Sequence, residues 1–343
     1  MIKFSVPYNS DINAMGKIIR KYGPTIDEVY FAIDPKIARC SKETTCGCCN
    51  IAEARRLKKM LMKNKIKSNL LINGAYEGNR DPGRMKKFIS AIGGVDGITI
   101  ADLYLLEVFK GFGPRLHISR VAQINSPERI RRLLARHPDL TINLDNDLNR
   151  DLMNLKKISR LKKYYPDFKI KLMVNEGCLF HCTGRTRHSW LLCLDESEKR
   201  YCGGDFGCFH QVSPAEVDKE VVKSPFIRPE DLSFYEKNNV VDIFKIAGRQ
   251  ISGKALFTIV DAYMKRNYAG LLTDLMGTGV MGNFFPVYIY DGIDNSRFPK
   301  DFVSTVTACD KFCAGCKFCA DVAKKVMTIP QKLKKNLKLA CDL

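Results

Sequence analysis

Thiols dominate the reactive chemistry of this 343-residue chain, which has 14 cysteines. One group begins where an apolar run ends: Met173-Val174-Asn175-Glu176-Gly177-Cys178 continues through His181 and Cys182 to Arg185 and His188, with Cys193, Cys202 and Cys208 beyond. A second group, Cys309-x3-Cys313-x2-Cys316-x2-Cys319, lies near the C-terminus. A third, Cys40, Cys46, Cys48 and Cys49, lies near the start, and Cys341 stands apart. Short gaps between soft thiolates are what metal or iron–sulfur ligation requires.

The C-terminal group wraps most naturally around a 4Fe-4S cubane, because one short turn brings successive sulfurs to neighbouring irons. Zinc is the rival, but zinc sites usually take their thiol pairs from separate elements, and here all four are contiguous. The first three of these cysteines spell CxxxCxxC, the spacing of radical S-adenosylmethionine enzymes, which makes S-adenosylmethionine an alternative cofactor. In that superfamily the motif follows the first barrel strand, whereas here it lies beyond the last long helix.

The middle group is the expected reactive centre. Cys178 and Cys182 are four apart, so a helical turn would set them on one face. With Cys193 and Cys208 they make a second 4Fe-4S ligand set, with Cys202 as the rival for the fourth position. Glu176, His188 and Arg249 are the expected catalytic groups. Arg120, Arg185, Asn73 and Asn143 are the expected substrate-binding groups, since arginine grips carboxylates and phosphates in a bidentate way. The first group is less regular, because adjacent cysteines rarely share one metal. Cys40, Cys46, Cys48 and Cys49 are therefore a third candidate metal site, with a redox pair or plain reduced thiols as the alternatives.

The elements that must position these residues alternate. Strands are expected at 2–7, 28–33, 69–72, 97–101, 115–119, 140–144, 169–174 and 241–246. Helices are expected at 11–22, from 51 behind an Asn50 cap, and at 83–92, 127–135, 148–164 and 254–266. That rhythm predicts an α/β fold, a (β/α)8 TIM-like barrel over residues 1–272, with a cysteine-rich insertion after the seventh strand at 177–239. A doubly wound sheet shares the alternation, but no Gly-rich phosphate loop follows the first strand. A small cysteine-rich C-terminal extension, 273–343, completes the chain. Strand ends carry Asn9, Asp34, Asn73, Asp102, Arg120, Asn143, Asp145 and Arg249, a set suited to a polar pocket at the C-terminal face, although Asn9 and Asp145 serve equally as helix caps.

The chain has 56 Lys+Arg against 37 Asp+Glu, a net charge of +19. A field of that sign attracts polyanions, so RNA or an anionic small molecule is an expected partner, against the plainer reading of a lysine-rich soluble surface. No RNA-binding module signature is present. Met1 leads directly into a strand and no apolar run is long enough to cross a membrane, so the expected location is cytoplasmic, with no membrane partner. Thiols in that compartment stay reduced, which again favours ligation over disulfides.

Four stretches together resemble an uncharacterised branch related to the collagenase-like peptidase family U32. They are Val174-Asn175-Glu176-Gly177-Cys178-Leu179 with Cys182, Arg185 and His188; Ser224-Pro225-Phe226-Ile227-Arg228-Pro229-Glu230-Asp231-Leu232; Phe244-Lys245-Ile246-Ala247-Gly248-Arg249; and the Cys-Ala-Gly-Cys-Lys-Phe-Cys tail. The resemblance spans most of the chain in the same order. It implies a barrel whose inserted cysteines hold a 4Fe-4S cluster. It also implies chemistry of the oxygen-independent hydroxylation kind, on ubiquinone precursors or on bases of transfer and ribosomal RNA, with prephenate as the oxygen source. Carried over, Cys178 matches the family's Gly-Cys ligand, Cys182 and Cys208 match cysteines of the closer branch, and Arg249 matches the Lys-x-x-Gly-Arg element. The spacing of the middle cysteines departs from that of the hydroxylation proteins, and the outer two cysteine groups are additional.

These readings converge on an iron–sulfur barrel enzyme with two or three clusters, served by an electron-donor protein. The alternatives are radical S-adenosylmethionine chemistry, a cysteine- or metal-dependent peptidase, and a non-catalytic iron–sulfur or zinc scaffold.

Overall fold

The computed structural model describes residues 2–40, 48–74, 81–194, 212, 216–276 and 292–328. Eight parallel strands form the framework: β1 Lys3–Pro7, β2 Ile26–Ile33, β3 Lys67–Ile72, β4 Gly97–Ile100, β5 Arg115–Ile118, β6 Thr141–Asn143, β7 Lys169–Met173 and β8 Ile243–Lys245. Each pairs with the next, and β1 also pairs with β8 (Phe4 opposite Phe244), so the sheet closes into a barrel. Closure rules out the open doubly wound sheet.

The first two helices are amphipathic and capped by side chains. In α1 (Ile12–Tyr22) Ala14, Met15, Ile18 and Ile19 are buried, and the Asp11 carboxylate accepts from the amides of Asn13 and Ala14. In α2 (Ile51–Lys63) Ala54, Leu57 and Leu61 are buried, and Asn50 and Glu53 cap each other's backbone reciprocally. The helices α3 (Pro82–Ala91), α4 (Tyr104–Val108) and α5 (Pro127–Leu134) follow β3, β4 and β5. The single long helix expected over 148–164 is instead a 3-10 turn, Asn146–Arg150, then α6 (Leu152–Arg160), then a second 3-10 turn, Leu161–Lys163. Asp151 explains the break, because its side chain accepts from the Asn154 amide and starts α6 afresh.

The strands divide their residues sharply. Phe4, Val6, Val29, Phe31, Leu70, Ile98, Ile118, Ile142, Ile170, Leu172 and Phe244 belong to one continuous apolar core shared with the helices. The alternate positions face into the barrel, where branched aliphatic layers are the usual filling. Here that interior is polar. Ser5 donates to Glu28 (2.6 Å), Asn69 donates to Glu28 (3.0 Å), Thr99 donates to Asn69 (2.8 Å), and Lys171 forms an ion pair with Glu28. Burial alone would push the Glu28 carboxyl up, but Lys171 and His117 hold it well below the usual carboxylate range.

After β7 come α7 (Arg185–Leu191), α8 (Val217–Lys223) and α9 (Leu232–Lys237), and after β8 comes α10 (Gly253–Lys265). The C-terminal segment carries α11 (Phe302–Ala308), α12 (Phe318–Val326) and an antiparallel ribbon pairing Gly292–Ile293 with Met327–Thr328. Phe302, Val306, Val322 and Val326 are buried in the same core as the barrel helices.

Candidate active site at the mouth of the barrel

The C-terminal ends of the strands surround a pocket lined by Tyr30, Leu71, Asn73, Ser119, Arg120, Met173, Glu176, Lys245, Ala247, Gly248 and Arg249. Local structure explains how each charged group reaches it. Ser119 ends β5, and its hydroxyl accepts from the Val121 amide (3.3 Å), starting the turn that carries Arg120. The Asn175 side chain donates to the carbonyls of Ala247 (3.0 Å) and Leu275 (2.9 Å) and accepts from the Ala247 amide (2.6 Å), so it clamps the ends of β7 and β8 together. Gly248 has φ +140°, a conformation strained for any residue with a Cβ, and it turns the chain so that Arg249 points into the mouth.

Within the pocket Arg120 forms an ion pair with Glu176, whose second oxygen accepts from Asn146 (3.2 Å). Asn73 donates to the Ser119 hydroxyl (3.1 Å). Arg249 is buried, and its Nη1 lies 3.6 Å from the Cys40 sulfur. Lys245 is also buried, with Nζ 4.1 Å from the centroid of the Tyr30 ring. Its ammonium is pushed down to about 7, first by burial and then by the like charges of Lys171, Arg249 and Arg120, with Glu28 opposing.

The remaining expected site residues fall into three places. Cys178 borders the mouth: its thiol feels the charges of Glu176, Arg120 and Arg185 and has Cys182 as a neighbour, and burial pushes it up to about 11. The two cysteines do not share a helix face, as their spacing predicts; residues 174–184 are turn and loop, with His181 at φ +51°, and that turn is what brings them together. Arg185, expected to bind substrate, is engaged with the chain itself. The two terminal nitrogens of its guanidinium donate to Asp145 (2.8 Å), Asp147 (2.8 Å) and the Leu179 carbonyl (2.7 Å), fixing the loop that carries Cys178. Cys193 is buried in the turn after α7 and donates to the Ser189 carbonyl (3.0 Å), while His188 is half-buried on α7 and does not line the mouth pocket. Asn143 is buried, and neither polar atom of its side-chain amide has a hydrogen-bond partner among the described residues. It shares its register with Lys171, so it faces the barrel interior below the mouth.

The tail thiols lie elsewhere: Cys309, Cys313 and Cys316 on the loop between α11 and α12, and Cys319 in the first turn of α12. Cys309, Cys313 and Cys319 line a separate pocket with Arg150, Phe180, Lys223 and Lys311. Burial pushes the Cys319 thiol up to about 11; Arg150 opposes, and Cys309, Cys313 and Cys316 add to the rise. Of the first group, Cys40 adjoins Arg249, and Cys49 is buried with its thiol pushed up to about 12 by burial. Cys46, Cys202 and Cys208, and the side chain of Cys48, lie outside the described residues. Among the described residues, no three His, Cys, Asp or Glu side chains converge as ligands of one ion.

Sequence reasoning passed over Lys245, although it heads the Lys-x-x-Gly-Arg element, and over the Glu28–Lys171–His117 layer. In sequence, a lysine at a strand end looks like one that points into water, until the barrel closes around it.

No family model matches the sequence. The chain is similar to an uncharacterized protease of Methanocaldococcus jannaschii, MJ1657, at 26% identity over 331 residues, covering 93% of this chain and 94% of that protein. Among solved structures it is similar to the U32 peptidase Mk0906, with a TM-score of 0.47 and 13% identity over 71% of this chain and 92% of that one. It is also similar to a β-mannanase from Thermomonospora fusca, with a TM-score of 0.29 and 10% identity over 71% of this chain and 78% of that one. No helix among the described residues is long and apolar enough to cross a membrane.

Proposed function

We propose that this chain is an enzyme whose active site is the barrel-mouth pocket, that its substrate is anionic, RNA or a metabolite, and that it performs iron–sulfur-dependent, oxygen-independent modification of the hydroxylation type. The observation that carries this reading is the charge of the mouth. Arg120, Arg249 and Lys245 face a pocket with one carboxylate, Glu176, which is already paired, and the thiol of Cys178 lies beside it. Arginines so placed at the mouth of a barrel are suited to gripping a carboxylate or phosphate of a bound molecule.

The thiols are the donor type of a sulfur-ligated cluster at two places, and binding would have to draw them together, since no three converge among the described residues. Cys178 and Cys182 would hold one next to the guanidiniums of Arg120 and Arg185, with further cysteines of the insertion. Cys309, Cys313, Cys316 and Cys319 would hold another beside Arg150, Lys223 and Lys311. Thiols held protonated by burial exchange their proton for a soft metal on binding. Such a cluster supplies one-electron chemistry; the chain's own groups bind the anion, and Asn146 and Arg120 orient Glu176 at the substrate's edge.

The name of the Methanocaldococcus relative raises a peptidase reading. Among the described residues no histidine lines the mouth pocket, and Cys178 is held as a thiol rather than a thiolate, so a cysteine–histidine nucleophile has no support there.

The test is electron paramagnetic resonance on anaerobically purified, dithionite-reduced protein, with and without S-adenosylmethionine, alongside iron, sulfide and zinc analysis. A cubane signal indifferent to S-adenosylmethionine is expected. A perturbed signal moves the protein to radical chemistry, and zinc without iron overturns the redox reading.

A further inference from the structure

Two buried lysines stand on neighbouring strands of the barrel, and they are partnered differently. Lys171 on β7 forms an ion pair with Glu28 and approaches His117 Nδ1 (3.2 Å). The side chain of Lys245 on β8, 4% exposed, makes no hydrogen bond or ion pair among the described residues. Its amine instead lies over the Tyr30 ring and lines the mouth pocket, with Arg249 and Arg120 on the same wall. The groups that face it are Tyr30 and Glu28 from β2, Lys171 from β7, and the guanidiniums of Arg120 and Arg249.

A cation-rich wall is a poor place to park a lysine for structural reasons. Methionine would fill the same volume without the charge penalty. It is a good place to keep an amine as a nucleophile, because desolvation and like charges are what release the lone pair in lysines that attack carbonyls. The same arginines supply the grip for an acidic group on the molecule being attacked.

We propose that Lys245 is a covalent catalytic residue, and that the substrate it takes carries a carbonyl group together with a carboxylate or phosphate held by Arg249. The lysine nitrogen adds to the carbonyl carbon. The carbon–oxygen bond then breaks and the oxygen leaves as water, taking both hydrogens from the amine, so that an imine joins Lys245 to the substrate with no oxidant or reductant consumed. The imine nitrogen then draws electrons from the neighbouring carbon. The Arg249 role rests on the anionic-substrate reading above; the covalent step is independent of any cluster.

The whole chain, purified anaerobically, is incubated with pyruvate as the probe and reduced with sodium borohydride, and the product is digested and mapped by mass spectrometry. One adduct per chain on the Lys245 peptide is expected. It should be suppressed by excess lactate, which has the carboxylate and lacks the carbonyl, and lost in Lys245→Met. Acetone, with the carbonyl and no acid, should give far less adduct. Because the key readout uses the unmutated chain, a variant that misfolds does not obscure it. If pyruvate and lactate both raise the melting temperature but no adduct forms, the covalent role is overturned and anion binding stands. If neither shifts the melting temperature and no adduct forms, both fall. Adducts spread over surface lysines, with none enriched at Lys245, also overturn the proposal.

Discussion

Arg228 shows a buried arginine used to fasten the fold. Its guanidinium is buried, paired twice with Asp231 (2.8 and 2.7 Å), and stacked 4.6 Å from the centroid of the Phe298 ring. The motif that carries it, Ser224 to Leu232, is therefore a fastener rather than a site: the Ile227 amide also donates to the Val174 carbonyl (2.8 Å), and Glu230 accepts from the Tyr268 amide (2.7 Å). Arg228→Ala leaves Asp231 buried and unpaired, and should cost about 3–5 kcal/mol in urea unfolding. Lys245 offers a residue-scale prediction with the opposite character. Its folded-state value is depressed to about 7 while the unfolded chain keeps an ordinary lysine. Between pH 7 and the ordinary lysine range the unfolded state binds the proton and the native state does not, so stability from this group rises with pH across that window. The stability of the native chain relative to Lys245→Met should therefore increase from pH 7 to pH 10, measured by urea unfolding at each pH. A flat difference would contradict the buried, unpartnered placement.

At the scale of elements, the mouth depends on how β7 and β8 end. Asn175 ties the two together through backbone groups, and Gly248 then takes a φ that strains other residues, where a Cβ would lie 2.8 Å from Ile251 Cδ1. Gly248→Ala should destabilise by about 1–3 kcal/mol through backbone strain. By displacing Arg249 it should also weaken binding of an anionic probe such as inorganic phosphate, read by calorimetry. A loss of stability with unchanged binding would separate Arg249 from the anion site. The loop before α7 is a second case. Its two thiols are neighbours because a left-handed His181 folds the segment back and Arg185 staples it to Asp145 and Asp147. The four-residue spacing was visible in the sequence, but the reason for the proximity was not.

For the molecule as a whole, the C-terminal segment is built into the barrel rather than hung beside it. Arg150, which ends the 3-10 turn before α6, donates to the Ser224 carbonyl (2.6 Å), stacks on Phe226 and Phe302, and reaches the pocket of the tail thiols. If those thiols hold a metal, anaerobic chelation or Cys319→Ser should lower both the metal content and the melting temperature of the entire chain, since the helices on either side share its core. The net charge of +19 acts at the same scale. RNA affinity, where present, should fall with salt at about −0.7 in log–log slope per phosphate held, and a salt-independent result would remove RNA as the anion.

All eight strands, five of the six expected helices and the mouth-side placement of Asn73, Arg120, Glu176 and Arg249 were legible in the sequence. Alternating apolar runs, cap residues and strand-end polarity are local signals, and local physics produces them. The tertiary structure alone decided the partnerships. Whether Arg185 faces substrate or Asp145, whether Lys171 is paired and Lys245 is not, and whether the strands' alternate residues fill the barrel with charge all depend on chain segments tens to hundreds of residues apart. Electrostatic interaction and burial act through space, so a lysine acquires its chemistry only when closure of the barrel sets its neighbours.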